Sequence, residues 1–220
     1  MLKGKRILIT SGPTRMPLDA MRFISNRSTG RFGTLLAKEA LKRGAKVTFI
    51  YGVGSQTPKA PPKGVGRLLC IPVETNQKVA STLRSLLLHS RYDVVIHAMA
   101  VLDFQPSGVK KIKTKTKRGV WSLKLVPTPK IINQIKKWSP KTFLVGFKLE
   151  VGVSQKELLR RARRLLRQTK ADLVLANQLT EGDDNKHRGF LLNRAGNILY
   201  MGRGKKRLAN LIINEVEKGL

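Results

Sequence analysis

The sequence predicts an α/β protein, with a mostly parallel sheet, helices on both of its faces and a small β-flap beside it. Three observations predict this. Short apolar runs recur along the chain, stretches with helical periodicity fill the intervals between them, and no Pro-, Gly- or Ser-rich linker divides the sequence. Strands that alternate with helices are the mark of a parallel sheet covered on both faces, because each crossover lays a helix against it. A chain of 220 residues that is 41% hydrophobic can bury one substantial core, so a single domain over residues 1–220 is expected.

The elements follow in order. A strand is expected at Arg6–Thr10, and the long loop after it should end in a helix over Arg31–Arg43. The next strand is Lys46–Tyr51, and Gln56–Gly66, with its prolines and glycines, reads as a loop. A helix over Asn76–Ser90 leads to the strand Asp93–Ala98. Lys110–Val126 then breaks the alternation. It is cationic at first and afterwards alternates in Val120-Trp121-Ser122-Leu123-Lys124-Leu125, which reads as a loop running into a hairpin-like flap outside the main sheet, about residues 110–126. Helix Pro129–Trp138, strand Thr142–Phe147, helix Ser154–Thr169 and strand Asp172–Ala176 resume the pattern. Gly189–Met201 looks like a short strand pair, and Lys205–Lys218 is a closing helix.

The charge balance stands out: 44 Lys+Arg against 13 Asp+Glu give a formal net charge of +31. A potential of that sign draws in phosphates, whether on small substrates, nucleic acid or acidic membrane surfaces, and charge alone does not choose among them. Aromatic residues make up only 5%, which argues against a stacking platform for single strands. Cys70, the lone cysteine, forms no internal disulfide, and with His89, His97 and His187 scattered along the chain no metal site is read. No apolar stretch reaches membrane-spanning length and no leader precedes the first strand, so a soluble, unprocessed, cytoplasmic protein is expected.

The stretch Gly12–Gly33, GPTRMPLDAMRFISNRSTGRFG, follows the first strand. In a sheet of this kind ligands bind beyond the carboxyl ends of the strands, where loop glycines let backbone N–H groups approach phosphate and the next helix offers its positive end. Gly12, Ser28, Gly30 and Gly33 are placed for that role, although such a glycine pattern equally suits a structural turn. The loop carries no G-x-G-x-x-G, and no acidic residue ends the second strand, which excludes the fingerprint of a Rossmann-like dinucleotide dehydrogenase.

The full string closely resembles the opening motif of phosphopantothenate-cysteine ligase, the second half of the bacterial bifunctional coenzyme A flavoprotein. Further pieces stand in that family's order: AMAVLDFQP at 98–106, KKIK at 110–113, TPKI at 128–131, VGF at 145–147 and LVLAN at 173–177. The resemblance covers nearly the whole chain and implies a Rossmann-like fold. The decarboxylase half with its flavin site has no counterpart, which suggests a stand-alone ligase of coenzyme A biosynthesis.

The resemblance implies the following chemistry. A nucleoside triphosphate activates the carboxylate of 4'-phosphopantothenate as an acyl-nucleotidylate, and the amine of L-cysteine displaces the nucleoside monophosphate. CTP is implied over ATP by the short chain, and triphosphate chemistry implies Mg2+, held mainly by phosphates and water. By similarity Lys111 is the cation aimed at charge that develops in the transition state, and Asn26 bonds the acyl-nucleotidylate. Arg22 matches an arginine that reaches across a homodimer interface to the neighbour's substrate, a role suited to a planar fork. Asp103 and Ala100 match the substrate site, while Ala98, Phe147 and Asn177 match nucleotide contacts. Taken alone, each of these would read as a turn, cap, core or surface residue.

The chain also departs from the family pattern. Met99 and Leu102 stand where small residues are common, and larger side chains there would narrow the site. Thr128 and Lys130 replace the Asn and Asp of an Asn-Pro-Asp-Ile stretch. Counted back from Asp172, Leu165 and Thr169 occupy positions where two lysines serve the triphosphate, and Arg161, Arg164 or Lys170 could substitute. The helix Ser154–Thr169 pairs an apolar stripe, Leu158, Leu159, Ala162, Leu165 and Leu166, with Arg160, Arg161, Arg163, Arg164 and Arg167 elsewhere on its surface. A second reading is therefore a diverged family member that binds nucleic acid or ribosomes through its basic surface. The preserved Arg22, Asn26, Asp103 and Lys111 favour the enzyme.

Overall fold

Ile7 and Ile9 of the first strand face one side of the sheet and Leu8 the other, and all three are fully buried. Successive strand residues point to opposite faces, so a strand apolar at every position must be covered on both sides. The computed structural model, which describes all residues except 63, 117–119 and 179–186, shows how that is met. Its strands are β1 (Arg6–Ser11), β2 (Arg15–Pro17), β3 (Phe23–Ser25), β4 (Lys46–Gly52), β5 (Arg67–Val73), β6 (Val94–His97), β7 (Phe104–Pro106), β8 (Leu125–Pro127), β9 (Phe143–Glu150), β10 (Leu173–Gln178), β11 (Arg188–Asn193) and β12 (Ile198–Arg203). The helices are α1 (Arg31–Lys42), α2 (Asn76–His89), α3 (Ile132–Trp138), α4 (Gln155–Thr169) and α5 (Lys205–Lys218).

Eight strands form the main sheet in the order β12-β11-β10-β9-β6-β1-β4-β5. The pairings from β5 through β10 are parallel, and β11 and β12 close one edge antiparallel. This is the α/β, Rossmann-like architecture expected from the sequence. Helices α1 and α5 share one core with Ile7, Ile9, Phe49 and Leu175, while α2, α3 and α4 pack on Leu8, Ile50, Val95 and Val174 opposite. Side-chain caps start two of the helices: Thr75 accepts from Lys78 N–H, and Ser154 accepts from Glu157 N–H.

Strand β5 was not expected. It lies at the edge of the sheet, pairs only with β4, leaves Leu69 and Cys70 exposed and carries Pro72, which a central strand does not tolerate. Two antiparallel hairpins stand outside the sheet, β2 with β3 and β7 with β8. The flap is the long connection inside the second hairpin. Of the alternating segment 120–125 only Leu125 is strand, and it pairs back to Pro106.

Candidate active site

The order of strands reverses at β1, which has β4 on one side and β6 on the other. At such a point the crossovers leave in opposite directions and open a crevice at the carboxyl ends of the strands. Beyond the end of β1 the chain keeps company with the chain beyond β6. Ala98 N–H donates to Thr10 O at 3.1 Å, Ala100 N–H to Gly12 O at 2.8 Å and Thr14 N–H back to Ala100 O at 3.2 Å. The crevice floor is therefore backbone from Gly12–Thr14 and Ala98–Ala100.

Three side chains hold that floor in place. Thr14 Oγ1 accepts from Leu102 N–H at 3.0 Å. Leu102 O in turn accepts from Asn76 Nδ2 at 2.7 Å and from Thr128 Oγ1 at 2.6 Å, all buried. Thr128, where the family has Asn, is thus a structural clamp in this chain. Met99 does not narrow the site. Its side chain lies in the core beneath α2 and α3, because alternation along the extended segment sends it away from the face shared by Ala98 and Ala100.

The loop after β1 folds over this floor. Asn26 Nδ2 donates to Ala100 O at 3.1 Å and to Val101 O at 3.2 Å, so both amide hydrogens are committed and Oδ1 is the atom it can offer a ligand. Ser28 N–H donates to Asn26 O at 2.9 Å. Helix α1 then begins at Gly30 with no side-chain cap and no acidic residue in its first turn, so its positive end is not neutralised from within the helix. Gly33 is where α1 meets β1. A Cβ on it would lie 2.2 Å from Ser11 Oγ, so the approach of helix to strand requires glycine. Gly12 sits at φ +77°, and a Cβ there would lie 2.0 Å from Ser55 Oγ.

On the other flank of α1, Phe147 of β9 meets Phe32 edge to face with ring centroids 5.4 Å apart, and Phe32 meets His187 at 6.0 Å. Asn177 near the end of β10 is buried with its Nδ2 2.9 Å from His187 Nε2. Among the described residues its Oδ1 has no partner. Phe32 and His187 escaped the sequence reading. His187 was one of three scattered histidines, and nothing local to it signals that it joins Asn177 and Phe32.

Arg22 is the last residue of the β2–β3 turn. Its Nη1 donates to Asp19 Oδ2 at 2.9 Å and to Thr114 O at 3.3 Å, and its guanidinium stands 5.2 Å from the Trp121 ring centroid. The Asp19 side chain is fully buried. The Thr114 N–H foremost, helped by those of Met21 and Arg22, holds its carboxyl far below the usual range, against the opposing effect of burial. Lys111 is exposed in the flap. Asp103 forms an exposed ion pair with Lys130, the residue that stands where the family has Asp. His97, at the end of β6, is bonded through Nδ1 to Thr10 Oγ1 at 2.9 Å, and burial pushes its pKa down to about 4.

The expectation that Leu165 and Thr169 stand where lysines would reach a triphosphate is corrected. Helix α4 starts after β9 at the carboxyl ends and runs back toward the amino ends, where Asp172 N–H bonds Leu144 O at the start of β10. Thr169 is buried there, its hydroxyl bonded to Leu165 O at 2.7 Å, and Leu165 packs beside Gly146. A 15-residue helix spans about 22 Å at 1.5 Å per residue, so a cation in its last turn lies at the wrong end of the sheet. The same holds for Lys170, while Arg161 is paired with Glu150 and Glu157.

Residues 2–220 match the family described as the DNA/pantothenate metabolism flavoprotein C-terminal domain. The chain belongs to this family. Within the family's reach, the coenzyme A biosynthesis bifunctional protein CoaBC of Thermococcus kodakarensis is 38% identical over 219 residues, covering 100% of this chain and 52% of that protein. The protein of the same name from Bacillus subtilis is 34% identical over 178 residues, covering 81% and 41%. The chain thus spans about half the length of the curated relatives it matches. Among solved structures, the DNA/pantothenate metabolism flavoprotein of Streptococcus pneumoniae superposes with a TM-score of 0.87 at 28% identity, covering 99% of this chain and 100% of that one. A Cab2 mutant in complex with phosphopantothenate-cysteine shares the fold, with a TM-score of 0.77 at 24% identity and coverage of 97% and 85%.

Proposed function

We propose that this family member is a phosphopantothenate-cysteine ligase. The 4'-phosphopantothenate carboxylate attacks the α-phosphorus of CTP, pyrophosphate leaves, and the amine of L-cysteine then attacks the acyl carbon and expels CMP. The observation that carries the reading is the clasp of Asn26 over Ala100 and Val101 at the sheet's reversal point, beside the uncapped start of α1. The helix start and the Gly12–Gly33 loop suit the triphosphate. The nook of Phe32, Phe147, Asn177 and His187 suits a base, offering aromatic edges and one buried acceptor, Asn177 Oδ1.

Asn26 takes a narrower part than the resemblance implies. With its hydrogens on Ala100 and Val101, it presents Oδ1, an acceptor that fits the cysteine amine closing on the acyl carbon. A carbonyl oxygen would have to displace one of those two contacts. Lys111 supplies positive charge to the acyl-transfer transition state from the flap. Asp103, with Ala100, borders the substrate side. CTP is the expected nucleotide, with ATP the lesser candidate. A metal cage built by the chain does not fit the residues: among those described, no three His, Cys, Asp or Glu side chains gather, and Asp103 is paired with Lys130. Mg2+ enters as part of the nucleotide complex, held by phosphate oxygens and water.

Met21, Phe23, Phe104, Val109, Ile112 and Leu125 leave apolar surface exposed on the two hairpins and the flap. A second copy of the chain would cover it, and Arg22 lies at this edge, so the proposed unit is a homodimer. No described helix is long and apolar enough to cross a membrane, and a cytoplasmic setting is proposed with the pathway.

The test is mass spectrometry of product from the purified chain, 4'-phosphopantothenate, cysteine, Mg2+ and either CTP or ATP. Wild type should form 4'-phosphopantothenoylcysteine with CTP. Asn26→Asp should abolish it or stall at the acyl-nucleotidylate, and Lys111→Gln should slow it severely while leaving a residual rate that can be followed. A folded wild-type dimer that forms no product with either nucleotide overturns the reading. One observation favours a second, additional role: Arg160, Arg163, Arg164 and Arg167 are all exposed on α4, away from the crevice, in a chain of net charge +31. That face suits non-specific, salt-sensitive attachment to nucleic acid.

A further inference from the structure

The carboxylate of Asp19 accepts four hydrogen bonds. Oδ1 takes the N–H groups of Met21 and Arg22 at 2.8 Å each, and Oδ2 takes Arg22 Nη1 at 2.9 Å and Thr114 N–H at 3.0 Å. The first three are local to the β2–β3 turn, whereas the fourth spans 95 residues of sequence to reach the flap. A turn needs only the Oδ1 bonds and could leave Oδ2 in water. Here the whole side chain is buried, which is tolerated because four donors are aimed at the anion. Two more ties run in parallel: Lys110 N–H donates to Leu18 O at 3.1 Å, and Arg22 Nη1 donates to Thr114 O at 3.3 Å. Lys111 lies between the two pinned flap residues, Lys110 and Thr114.

We propose that Asp19 is a positioning residue, a latch that fixes the flap segment bearing Lys111 to the turn bearing Arg22. The flap is also attached at its ends through the short β7–β8 pair, including Ser107 N–H on Lys124 O at 2.9 Å, and Trp121 lies against the Arg22 guanidinium. Without the latch, Lys111 would sample positions over the crevice instead of holding one. The consequence for turnover rests on the ligase reading, but the latch itself does not.

Asp19→Asn separates the two jobs of the side chain. Its amide oxygen can keep the Met21 and Arg22 N–H groups, while its NH2 meets Thr114 N–H and Arg22 Nη1, donor against donor. The experiment compares wild type, Asp19→Asn and Thr114→Pro, which removes the flap's donor and leaves Asp19 intact should the first variant not fold. Amide hydrogen exchange is read over residues 107–116 and product formation is followed in parallel. Expected are faster flap exchange by about tenfold or more, as for one lost charge-assisted bond, with unchanged exchange in β1 and β6. Product formation should fall at least about tenfold in kcat, the cost of a misplaced catalytic group. In a Lys111→Gln background the same substitution should cost less than about twofold further, because the two act through one group. Flap exchange like that of wild type, or full additivity with Lys111→Gln, overturns the latch. A wild-type chain without turnover overturns the ligase reading, and the exchange of the flap amides still decides whether Asp19 holds the flap.

Discussion

The hydroxyl of Thr10 and Nδ1 of His97 meet at 2.9 Å between β1 and β6, where the imidazole is buried just before Ala98 and the crevice floor. Burial lowers the pKa of His97 from 6.5 to about 4 in the folded chain. Between those values the unfolded chain binds a proton that the folded chain refuses, so stability rises with pH across this window and is lost as pH falls through it. That difference corresponds to roughly 3 kcal/mol. Urea unfolding at pH 7 and pH 4.5 should show that loss in wild type and a clearly smaller one in His97→Asn, and equal slopes in the two chains would dismiss His97 as the cause.

Thr14 is expected to matter more than an ordinary loop threonine, because its hydroxyl accepts from Leu102 N–H inside the floor. Thr14→Val, close to it in shape, leaves that donor buried without a partner and should cost about 1–3 kcal/mol by chemical denaturation. Thr14→Ser should recover most of the loss.

Gly33→Ala puts a Cβ 2.2 Å from Ser11 Oγ and 2.4 Å from Ser11 Cβ. Alanine favours a helix by about 1 kcal/mol over glycine, yet overpacking of this kind costs about 1–3 kcal/mol or more. A net fall in melting temperature is therefore expected. Ser11→Gly in the same chain should restore part of it, and a stabilised single variant would show that α1 does not sit this close to β1.

Thr169→Lys restores a lysine at a position counted from Asp172, but at the amino ends of the strands. Titration of CTP into this variant should give the wild-type affinity. Lys130→Ala should change the melting temperature little, because its pair with Asp103 is exposed. A clear gain in CTP affinity from Thr169→Lys would return the triphosphate to the far end of α4.

Binding to duplex DNA should depend on salt with a log-log slope of about −0.9 per phosphate neutralised. Reversing Arg164 and Arg167 to Glu should reduce that slope and leave product formation at the wild-type level. An unchanged slope would move the contact to another part of the +31 surface.

Much of the architecture was legible in the chain itself. Ile7, Leu8 and Ile9 are apolar in succession, which only a doubly covered strand accommodates, and the caps Thr75 and Ser154 mark two helix starts within three residues of their partners. The glycines at 12 and 33 stand out in the sequence as well, although the close approaches of Ser55 and Ser11 that require them do not. These are short-range signals, and they determined the fold class, the order of the elements and the loop that faces the crevice. The tertiary structure decided the rest: that Met99 turns into the core, that α4 carries Thr169 away from the site, that Lys130 meets Asp103, that His187 joins Asn177 and Phe32, and that Asp19 reaches Thr114. Each of these depends on which face or end of the sheet a residue occupies, and that is settled by strand order and packing between segments far apart in sequence, where local spacing carries no information.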